Sequence, residues 1–412
     1  MNNLHLIKHN KIIGGILIII GTCIGGGILA LPMLSANSGF LTSSILLFGI
    51  WLLMTITALL VLEVNLSCPK ESNSFGVMAK KTLGKPGQTI TWITWFLLLY
   101  SLLAAYTSGG TVLLKNLLSL ANNIELPMEI TALLFITTLG GMVFWSTQAV
   151  DYSNRLLMGC KGLLLIASIL LLLPHINLTN IVYNSEIHSN KYLNVAAPIF
   201  LFSFGFHIVI PSLRSYIGDD RKTLRLIVFC GASIPLVVYL LWLLATLGTI
   251  PAQGTTNSFS AIKASGNSID GLINVVNSLI NNKWVTAALT GFSNISVTTS
   301  FLGVSLSLFD FLADGCKRPN TRWGRLQTAA ITFIPPLLFA LYYPKGFITA
   351  LGYAAFFVAI LLVILPAAMA YKLRQEKAIL ATNKILFSKP ILLSTIAAGI
   401  TLIILQLVVT IF

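Results

Sequence analysis

Residues 18–40 read IIIGTCIGGGILALPMLSANSGF, a stretch apolar enough to cross a membrane but with four glycines near its middle. Each glycine inside a helix costs about 1 kcal/mol relative to alanine. Lipid offers no hydrogen-bond partner for the backbone groups that a broken helix frees, so such breaks occur where they line a cavity. The run from Gly25 to Gly27 therefore predicts an interrupted membrane helix and a binding site.

The composition places the chain among integral membrane proteins. Of its 412 residues 56% are hydrophobic and 9% are charged, and the mean hydropathy is +0.88. The net charge of +14 is expected to concentrate in cytoplasmic loops, and not to signal nucleic acid. The five cysteines form no CxxC pair, so we expect no metal, no disulfide and no cofactor.

The apolar runs predict eleven membrane-spanning helices. Each is about 20 residues long, which matches the thickness of the hydrocarbon core. Counted in chain order, spans 1 to 11 cover residues 12–35, 41–66, 89–114, 129–147, 156–176, 194–217, 225–248, 285–310, 327–343, 346–370 and 389–411.

The distribution of basic residues supports this count. With the N-terminus in the cytoplasm, five of the 26 lysines and arginines fall outside and the other 21 fall on the cytoplasmic side. A single miscounted span would invert every later loop and remove this asymmetry. The sequence therefore predicts a cytoplasmic N-terminus and a periplasmic C-terminus.

Span 6 contains a second segment whose residues disfavour a continuous helix. The segment PIFLFSFGFHIVIP places Gly205 between Pro198 and Pro211, which loosen a helix. Spans 1 and 6 each begin a possible five-span unit, and they enter the membrane from opposite sides, as in an inverted repeat. The predicted organisation is a cytoplasmic N-terminus at 1–11, a first repeat at 12–176, a periplasmic loop at 177–193, a second repeat at 194–370, a cytoplasmic loop at 371–388 and an eleventh span at 389–412.

Several segments resemble the bacterial hydroxy and aromatic amino acid permease family. They are IGGGILALP at 24–32, LVLEV at 60–64, LLAAYTSGG at 102–110, SFGFH at 203–207, SFLGVSLSLFDFLAD at 300–314, GRLQTAAITFIPPLLFALYYPKGF at 324–347 and ALGYA at 350–354. The resemblance covers nearly the whole chain and extends to tyrosine-transporting members. Ile28, where the family signature usually has methionine, and Asn37, where it has a small residue, depart from the pattern.

The resemblance implies the leucine-transporter fold of the amino acid-polyamine-organocation superfamily, and import of an aromatic amino acid with protons. The interrupted helices suit this chemistry. Backbone N–H groups freed around Gly25, Gly26, Gly27 and Ile28 would bind a carboxylate, and carbonyls freed near Thr22 and from Phe200 to Ser203 would bind an ammonium. The alternative is that these glycines serve only close helix packing.

An aromatic substrate also needs an apolar pocket. Candidate residues for it are Phe202, Phe204 and Phe206 beside Gly205, Tyr100 and Tyr106 in span 3, Asn294 in span 8, and Tyr353 and Phe356 in span 10. His207 is a titratable side chain at membrane depth, so it could bond a substrate hydroxyl, carry a proton or make a structural hydrogen bond.

Three residues are candidates for proton coupling. Lys161 lies in span 5, where the resemblance implies an ammonium in place of the ion of sodium-coupled relatives; the alternative is a lysine that reaches the interface. Glu63 and Asp310 are carboxylates within spans 2 and 8, and each could instead pair with a loop arginine or lysine. Sodium coupling stays open because span 8 is rich in hydroxyls, namely Ser293, Thr298, Thr299 and Ser300.

The sequence therefore predicts a proton-coupled importer of tyrosine in a bacterial inner membrane, with lipid and an amino acid as its partners and with phenylalanine and tryptophan as alternative substrates. An enzyme is disfavoured because the chain has no HExxH and no nucleophile with a base. A channel is disfavoured by the scarcity of charges along the spans. We also expect an interfacial helix within residues 68–88 and a loop at 249–283 that caps the outer vestibule or only connects two spans.

Overall fold

A computed structural model describes residues 2–69, 74–122, 125–183, 190–318, 321–375 and 385–411. Within these ranges every regular element is a helix and there is no strand, which confirms the predicted all-helical class. The α-helices are α1 (Asn2–Cys23), α2 (Ala30–Ser35), α3 (Phe40–Leu66), α4 (Phe75–Asn122), α5 (Met128–Trp145), α6 (Thr147–Leu172), α7 (Leu178–Tyr183), α8 (Asn190–Ser203), α9 (Ile210–Ile217), α10 (Arg221–Thr249), α11 (Phe259–Ala264), α12 (Ile269–Ile280), α13 (Lys283–Gly315), α14 (Arg322–Tyr342), α15 (Phe347–Val358), α16 (Leu365–Gln375) and α17 (Lys389–Ile411).

Shorter helical segments join some of these. They are 3-10 helices at Gly26–Leu29, Leu173–His175 and Phe206–Val209 and a π-helix at Ala359–Ile364. In the described ranges ten helices are long and apolar enough to cross a membrane. The pair formed by Asn10–Cys23 and Gly26–Ser35 meets the same test only when taken together, and it makes eleven spans if it is counted as one.

The glycine run of the sequence coincides with a bend between α1 and α2. Helix α1 ends at Cys23, Gly25 is extended with φ −117° and ψ −159°, and a 3-10 turn begins at Gly26. The two helical pieces meet at an angle of 50°. We call residues 24–26 the first interruption.

A second change of backbone conformation separates α8 from α9. Helix α8 ends at Ser203, Gly205 has φ −77° and ψ 39°, and a 3-10 turn runs from Phe206 to Val209. Pro211 lies at the start of α9, where its missing N–H leaves no helical hydrogen bond unmade. We call residues 204–205 the second interruption.

Helix α10 packs along both interruptions. Its close approach to α1 depends on small residues, because a Cβ atom on Gly231 would lie 2.8 Å from Ile19 and one on Gly15 would lie 3.1 Å from Ile227. On the other side of the interruptions α4 packs against α13 and α15, and α6 packs against α13. The two interruptions therefore lie in the interior, between α10 and the group formed by α4, α6, α13 and α15.

Two peripheral segments were predicted from the sequence, an interfacial helix and an outer loop, and the structure describes most of both. Part of the predicted interfacial segment forms the beginning of α4, which turns sharply at Gly84 with φ 73°, while residues 70–73 lie outside the described ranges. In the predicted outer loop, α12 occupies Ile269–Ile280, where the sequence indicated a helical patch, and its residues Ile269, Leu272 and Ile273 are buried.

Candidate functional site

A cavity of about 330 Å³ lies where the two interruptions face α4, α6 and α13. Six of the residues predicted to act in binding or coupling line it: Thr22, Gly25, Gly27, Lys161, Phe202 and Gly205. Tyr106, which the sequence also suggested as a pocket aromatic, lines it as well. The structure thus brings together residues from α1, α4, α6, α8 and the two interruptions, up to 183 positions apart in the sequence.

The rest of the cavity wall divides into apolar and polar parts. The apolar part consists of Trp95, Leu98, Leu99 and Leu102 from α4 with Val358 and Leu362 from the α15 region. The polar part consists of Asn154 from α6 and of Thr299, Ser300 and Ser307 from α13. Sequence reasoning missed Asn154 and Ser307. An apolar wall beside a few polar groups is typical of sites for small amphipathic molecules.

Each glycine of the run faces a side chain from a different helix. A Cβ atom on Gly25 would lie 2.9 Å from the Ser300 hydroxyl, one on Gly26 would lie 2.8 Å from the Tyr106 ring, and one on Gly27 would lie 2.7 Å from the Phe202 ring. Real Cβ contacts are not this short, so none of the three positions has room for a side chain. The glycines therefore allow both the change of backbone conformation at the first interruption and the close packing of other helices around it.

The backbone N–H groups of the first interruption point to oxygen acceptors. The Gly26 N–H donates to the Ser300 hydroxyl oxygen at 3.0 Å, across the space between α1 and α13. The Gly25 N–H donates to the Cys23 carbonyl at 2.9 Å. The hydroxyl oxygen of Ser300, on α13, thus accepts a hydrogen bond from a backbone N–H of the glycine run.

The carbonyls at the two interruptions share a donor that sequence reasoning missed. The hydroxyl of Tyr239, on α10, lies 2.6 Å from the Cys23 carbonyl oxygen and 2.9 Å from the Ser203 carbonyl oxygen. One turn further along α10, the Trp242 indole N–H donates to the Ile28 carbonyl at 3.0 Å. No local pattern could have indicated these partners, because Tyr239 and Cys23 are 216 residues apart.

Lys161 is buried although it carries a titratable amine. Its relative exposure is 4%, and it lines the cavity seven residues, about two helical turns, after Asn154. Among the described residues its amine has no carboxylate within ion-pair distance. Lys161 therefore lies inside the site and does not reach the helix end.

Other predicted pocket residues lie away from the cavity wall. Phe200, Phe204 and Phe206 are fully buried in helix packing, and Phe204 meets Tyr239 edge to face at 5.3 Å. The Tyr100 hydroxyl donates to the Ile331 carbonyl at 2.7 Å. Ile28 is buried, and the Ser203 hydroxyl donates to the Ile199 carbonyl. Asn294 lines a separate cavity of about 320 Å³. Tyr353 is 44% exposed, and Phe356 packs on Phe357.

The two predicted carboxylate carriers lie outside the cavity wall too. Glu63 is buried and accepts from the Arg225 Nε at 2.8 Å, with Arg221 at 3.4 Å. This ion pair joins α3 to α10. Asp310 is exposed on α13, five residues before that helix ends.

His207 makes a buried hydrogen bond with α3. Its Nε2 lies 2.7 Å from the Thr57 hydroxyl, and that hydroxyl donates to the Met54 carbonyl at 3.1 Å. Whichever of the two groups donates, this hydrogen bond joins the imidazole of His207 to the hydroxyl of Thr57. His207 thus links the second interruption to α3.

Among the described residues no group of three His, Cys, Asp or Glu side chains is placed to hold a metal ion. The geometry is that of a membrane transporter: a helical bundle with a central cavity at two irregular backbone segments, the pattern of substrate sites in secondary transporters. The comparisons with known proteins agree with this class.

The model of the tryptophan/tyrosine permease family matches residues 8–406, and the chain belongs to that family. The chain is 37% identical to tyrosine-specific transport system 1 of Haemophilus influenzae over 90% of each chain, and 35% identical to tyrosine-specific transport system 2 of the same organism over 89% of each. It is 36% identical to the tryptophan-specific transport protein of Pseudomonas aeruginosa over 90% of this chain and 88% of that one. The family resemblance is therefore confirmed, and the relatives are transport proteins, not enzymes.

Proposed function

We propose that this protein imports L-tyrosine across the inner membrane of a bacterium together with protons, by alternating access. The observation that carries the proposal is Lys161, a buried lysine in the wall of the cavity formed by the two interruptions. Such a cavity is typical of a site for a zwitterion, and a buried titratable group beside it is typical of proton coupling.

The carboxylate of the amino acid would bind at the glycine run. In this structure the Gly26 N–H donates to the Ser300 hydroxyl oxygen at 3.0 Å, so a substrate carboxylate would replace that oxygen as the acceptor. Gly25 and Gly27 line the cavity, so their backbone borders the space for the ligand. The ammonium would bind near the carbonyl ends of α1 and α8, where the helix dipoles are negative.

The aromatic ring would lie against the apolar wall. Phe202 lines the cavity beside the second interruption, and Leu98, Leu102 and Leu362 line it from α4 and the α15 region. Burial of a ring against such a wall gains about 25 cal/mol for each Å² of apolar surface removed from water. This term favours aromatic over small amino acids.

Lys161 would carry the coupled proton. Because no carboxylate among the described residues pairs with its amine, a change of its protonation does not require an ion pair to break. Thr22 and Ser300 line the same cavity, so a proton gained or lost at Lys161 changes the field at both the α1 and the α13 walls.

The lining of the cavity also indicates which end is open. Exposure rises from Tyr106, which is 3% exposed, to Ile208, which is 39% exposed, and Ser307 is exposed too. Ile208 and Ser307 lie toward the bundle end that carries Arg214 and Arg318. With the predicted orientation this end is cytoplasmic, so the structure would represent an inward-open state.

Uptake into proteoliposomes tests this function. Radiolabelled L-tyrosine is offered with an inward proton gradient and without sodium, to the wild type, Lys161→Ala and the matched control Lys222→Ala, in which an exposed lysine is removed. We expect gradient-dependent accumulation by the wild type and by Lys222→Ala, and its loss in Lys161→Ala. Accumulation that requires sodium would contradict proton coupling and would point to the hydroxyls of Thr299 and Ser300.

A tryptophan importer is the second candidate. The tryptophan-specific relative is as similar to this chain as the two tyrosine-specific relatives, at 36% against 37% and 35% identity. In the same vesicles, excess tryptophan or phenylalanine is added as a competitor. Tyrosine as the best competitor supports the proposal, whereas tryptophan that displaces tyrosine at much lower concentration would overturn the choice of substrate.

A further inference from the structure

The Tyr239 hydroxyl is the one group in the described structure that contacts the carbonyl just before each interruption. The carbonyl of Cys23 belongs to the end of α1, and that of Ser203 belongs to the end of α8. The tyrosine side chain is fully buried, and its ring is held edge to face by Phe204 at 5.3 Å. Its position is therefore fixed by packing as well as by hydrogen bonds.

The electrostatics of the two helix ends explain why a shared donor matters. The carboxyl end of a helix carries a partial negative charge from its unpaired carbonyls, so two such ends that approach the same point repel each other. A hydroxyl hydrogen between the two oxygens offsets this repulsion and satisfies buried acceptors that would otherwise cost free energy. Without the hydroxyl, the ends of α1 and α8 are expected to separate.

Helix α10 is well anchored for this task. Trp242 binds the Ile28 carbonyl on the far side of the first interruption, so α10 holds the backbone on both sides of it. A Cβ atom on Gly231 would lie 2.8 Å from Ile19, so α1 and α10 are in close contact there. Tyr239 therefore connects α10 to the carbonyl ends of both α1 and α8.

We propose that Tyr239 is a positioning residue that sets the spacing between the carbonyl ends of α1 and α8, and that this spacing gives the site its affinity for the ammonium group of the substrate. The inference rests on the proposed function, in which these helix ends receive the ammonium. The proposal assigns no contact between Tyr239 and the substrate ring or carboxylate. Loss of the hydroxyl should thus weaken recognition of one substrate group only.

Competition binding separates this effect from a general loss of structure. Purified wild type and Tyr239→Phe are compared with radiolabelled L-tyrosine or L-tryptophan, whichever the wild type takes up, and with the matching propionate that lacks the ammonium as competitor. In Tyr239→Phe we expect the amino acid to bind about tenfold more weakly, the effect of losing one well-placed charged hydrogen bond. The affinity for the propionate should stay unchanged, so that the ratio of the two affinities falls about tenfold.

The matched control is Thr246→Val on the same helix. Thr246 is buried, and its hydroxyl donates only to carbonyls of α10, those of Trp242 and Leu243. Its loss should leave the affinity ratio unchanged. Equal weakening of amino acid and propionate in Tyr239→Phe, or an unchanged or tighter binding of the amino acid, would overturn the proposal. A wild type that binds neither tyrosine nor tryptophan would contradict the proposed function itself.

Thiol labelling gives a second, independent readout. Cys23 lines the cavity at the end of α1 and is only 5% exposed, so its alkylation rate reports whether that end is held. In a background without Cys68, Cys160, Cys230 and Cys316, we expect Tyr239→Phe to label several-fold faster than the background protein. An unchanged rate would contradict a role of Tyr239 in holding α1.

Discussion

The two interruptions are built by different means. In the first, three consecutive glycines each contact a side chain of another helix, and none of the three positions has room for a Cβ atom. In the second, one glycine lies among buried aromatic side chains, and the helix α9 that follows is anchored by Arg214. That guanidinium donates to the Cys68 carbonyl at 2.9 Å and to Asp219 at 2.8 Å. The first interruption therefore depends on the absence of side chains in addition to its polar partners, whereas the segment after the second interruption is held by a buried arginine.

The largest effect is expected from Gly26→Ala in the first interruption. The new Cβ atom would lie 2.8 Å from the buried Tyr106 ring, which is only 3% exposed and has little room to move. Overpacking of this kind costs about 1–3 kcal/mol, and we expect uptake to fall by about tenfold to a hundredfold. Gly159→Ala is the control, because a Cβ atom there meets nothing within 4 Å. Normal uptake by Gly26→Ala would contradict the steric role of the glycine run.

Gly205→Ala should have a smaller effect on the second interruption. Gly205 has a negative φ of −77°, which residues other than glycine can adopt, and its Cβ atom would lie 3.0 Å from the Phe202 carbonyl. A moderate loss of uptake, about threefold to tenfold, is expected from this tight contact. If Gly205→Ala proved more damaging than Gly26→Ala in the same assay, the contrast between the two interruptions would be wrong.

Glu63→Gln tests whether the ion pair between α3 and α10 is structural. Glu63 is buried, whereas its partners Arg225 and Arg221 are 29% and 34% exposed, so we expect a loss of about 2 kcal/mol of stability, less than for a fully buried pair. The expected result is a lower melting temperature with proton-dependent uptake retained to within a few-fold. Uptake that becomes independent of the proton gradient would instead make Glu63 a proton carrier.

The smallest effect is expected from His207→Gln. A glutamine amide can donate to the Thr57 hydroxyl or accept from it, so it can replace His207 in this hydrogen bond, and uptake should stay within about twofold of the wild type. His207→Leu removes the partner of Thr57 and should cost more, about the free energy of one buried hydrogen bond, roughly 1 kcal/mol. A loss of proton dependence in His207→Gln would show that the imidazole carries a proton, and that its role is not only structural.

The sequence predicted more of the fold than of the site. The all-helical class followed from hydropathy, and the change of backbone at Gly25 coincides with the glycine run, because both depend on local residue types. The prediction of eleven spans and of the leucine-transporter fold stays a prediction. The identity of the pocket aromatics could not follow from residue type, since 23 phenylalanines serve lipid contact, core packing and binding alike.

The residues that hydrogen-bond to the backbone near the interruptions could not be predicted from the sequence for a further reason. Tyr239, Trp242 and Arg214 act on backbone carbonyls 36 to 216 residues away, and a carbonyl carries no sequence signature. Lys161 could be identified as a candidate because it falls within a predicted span and because the family resemblance implies an ammonium group there. Side chains that bind backbone become visible only when the helices are placed in space.

The most direct test of the central claim is an experimental structure of the protein with L-tyrosine bound. We predict density for the amino acid in the cavity between the two interruptions, with the carboxylate at Gly25 to Gly27 and the ring against Phe202 and Leu102. Density for tyrosine only in the outer cavity lined by Asn37, Phe259 and Lys263, with the central cavity empty, would contradict the claim that the two interruptions form the substrate site.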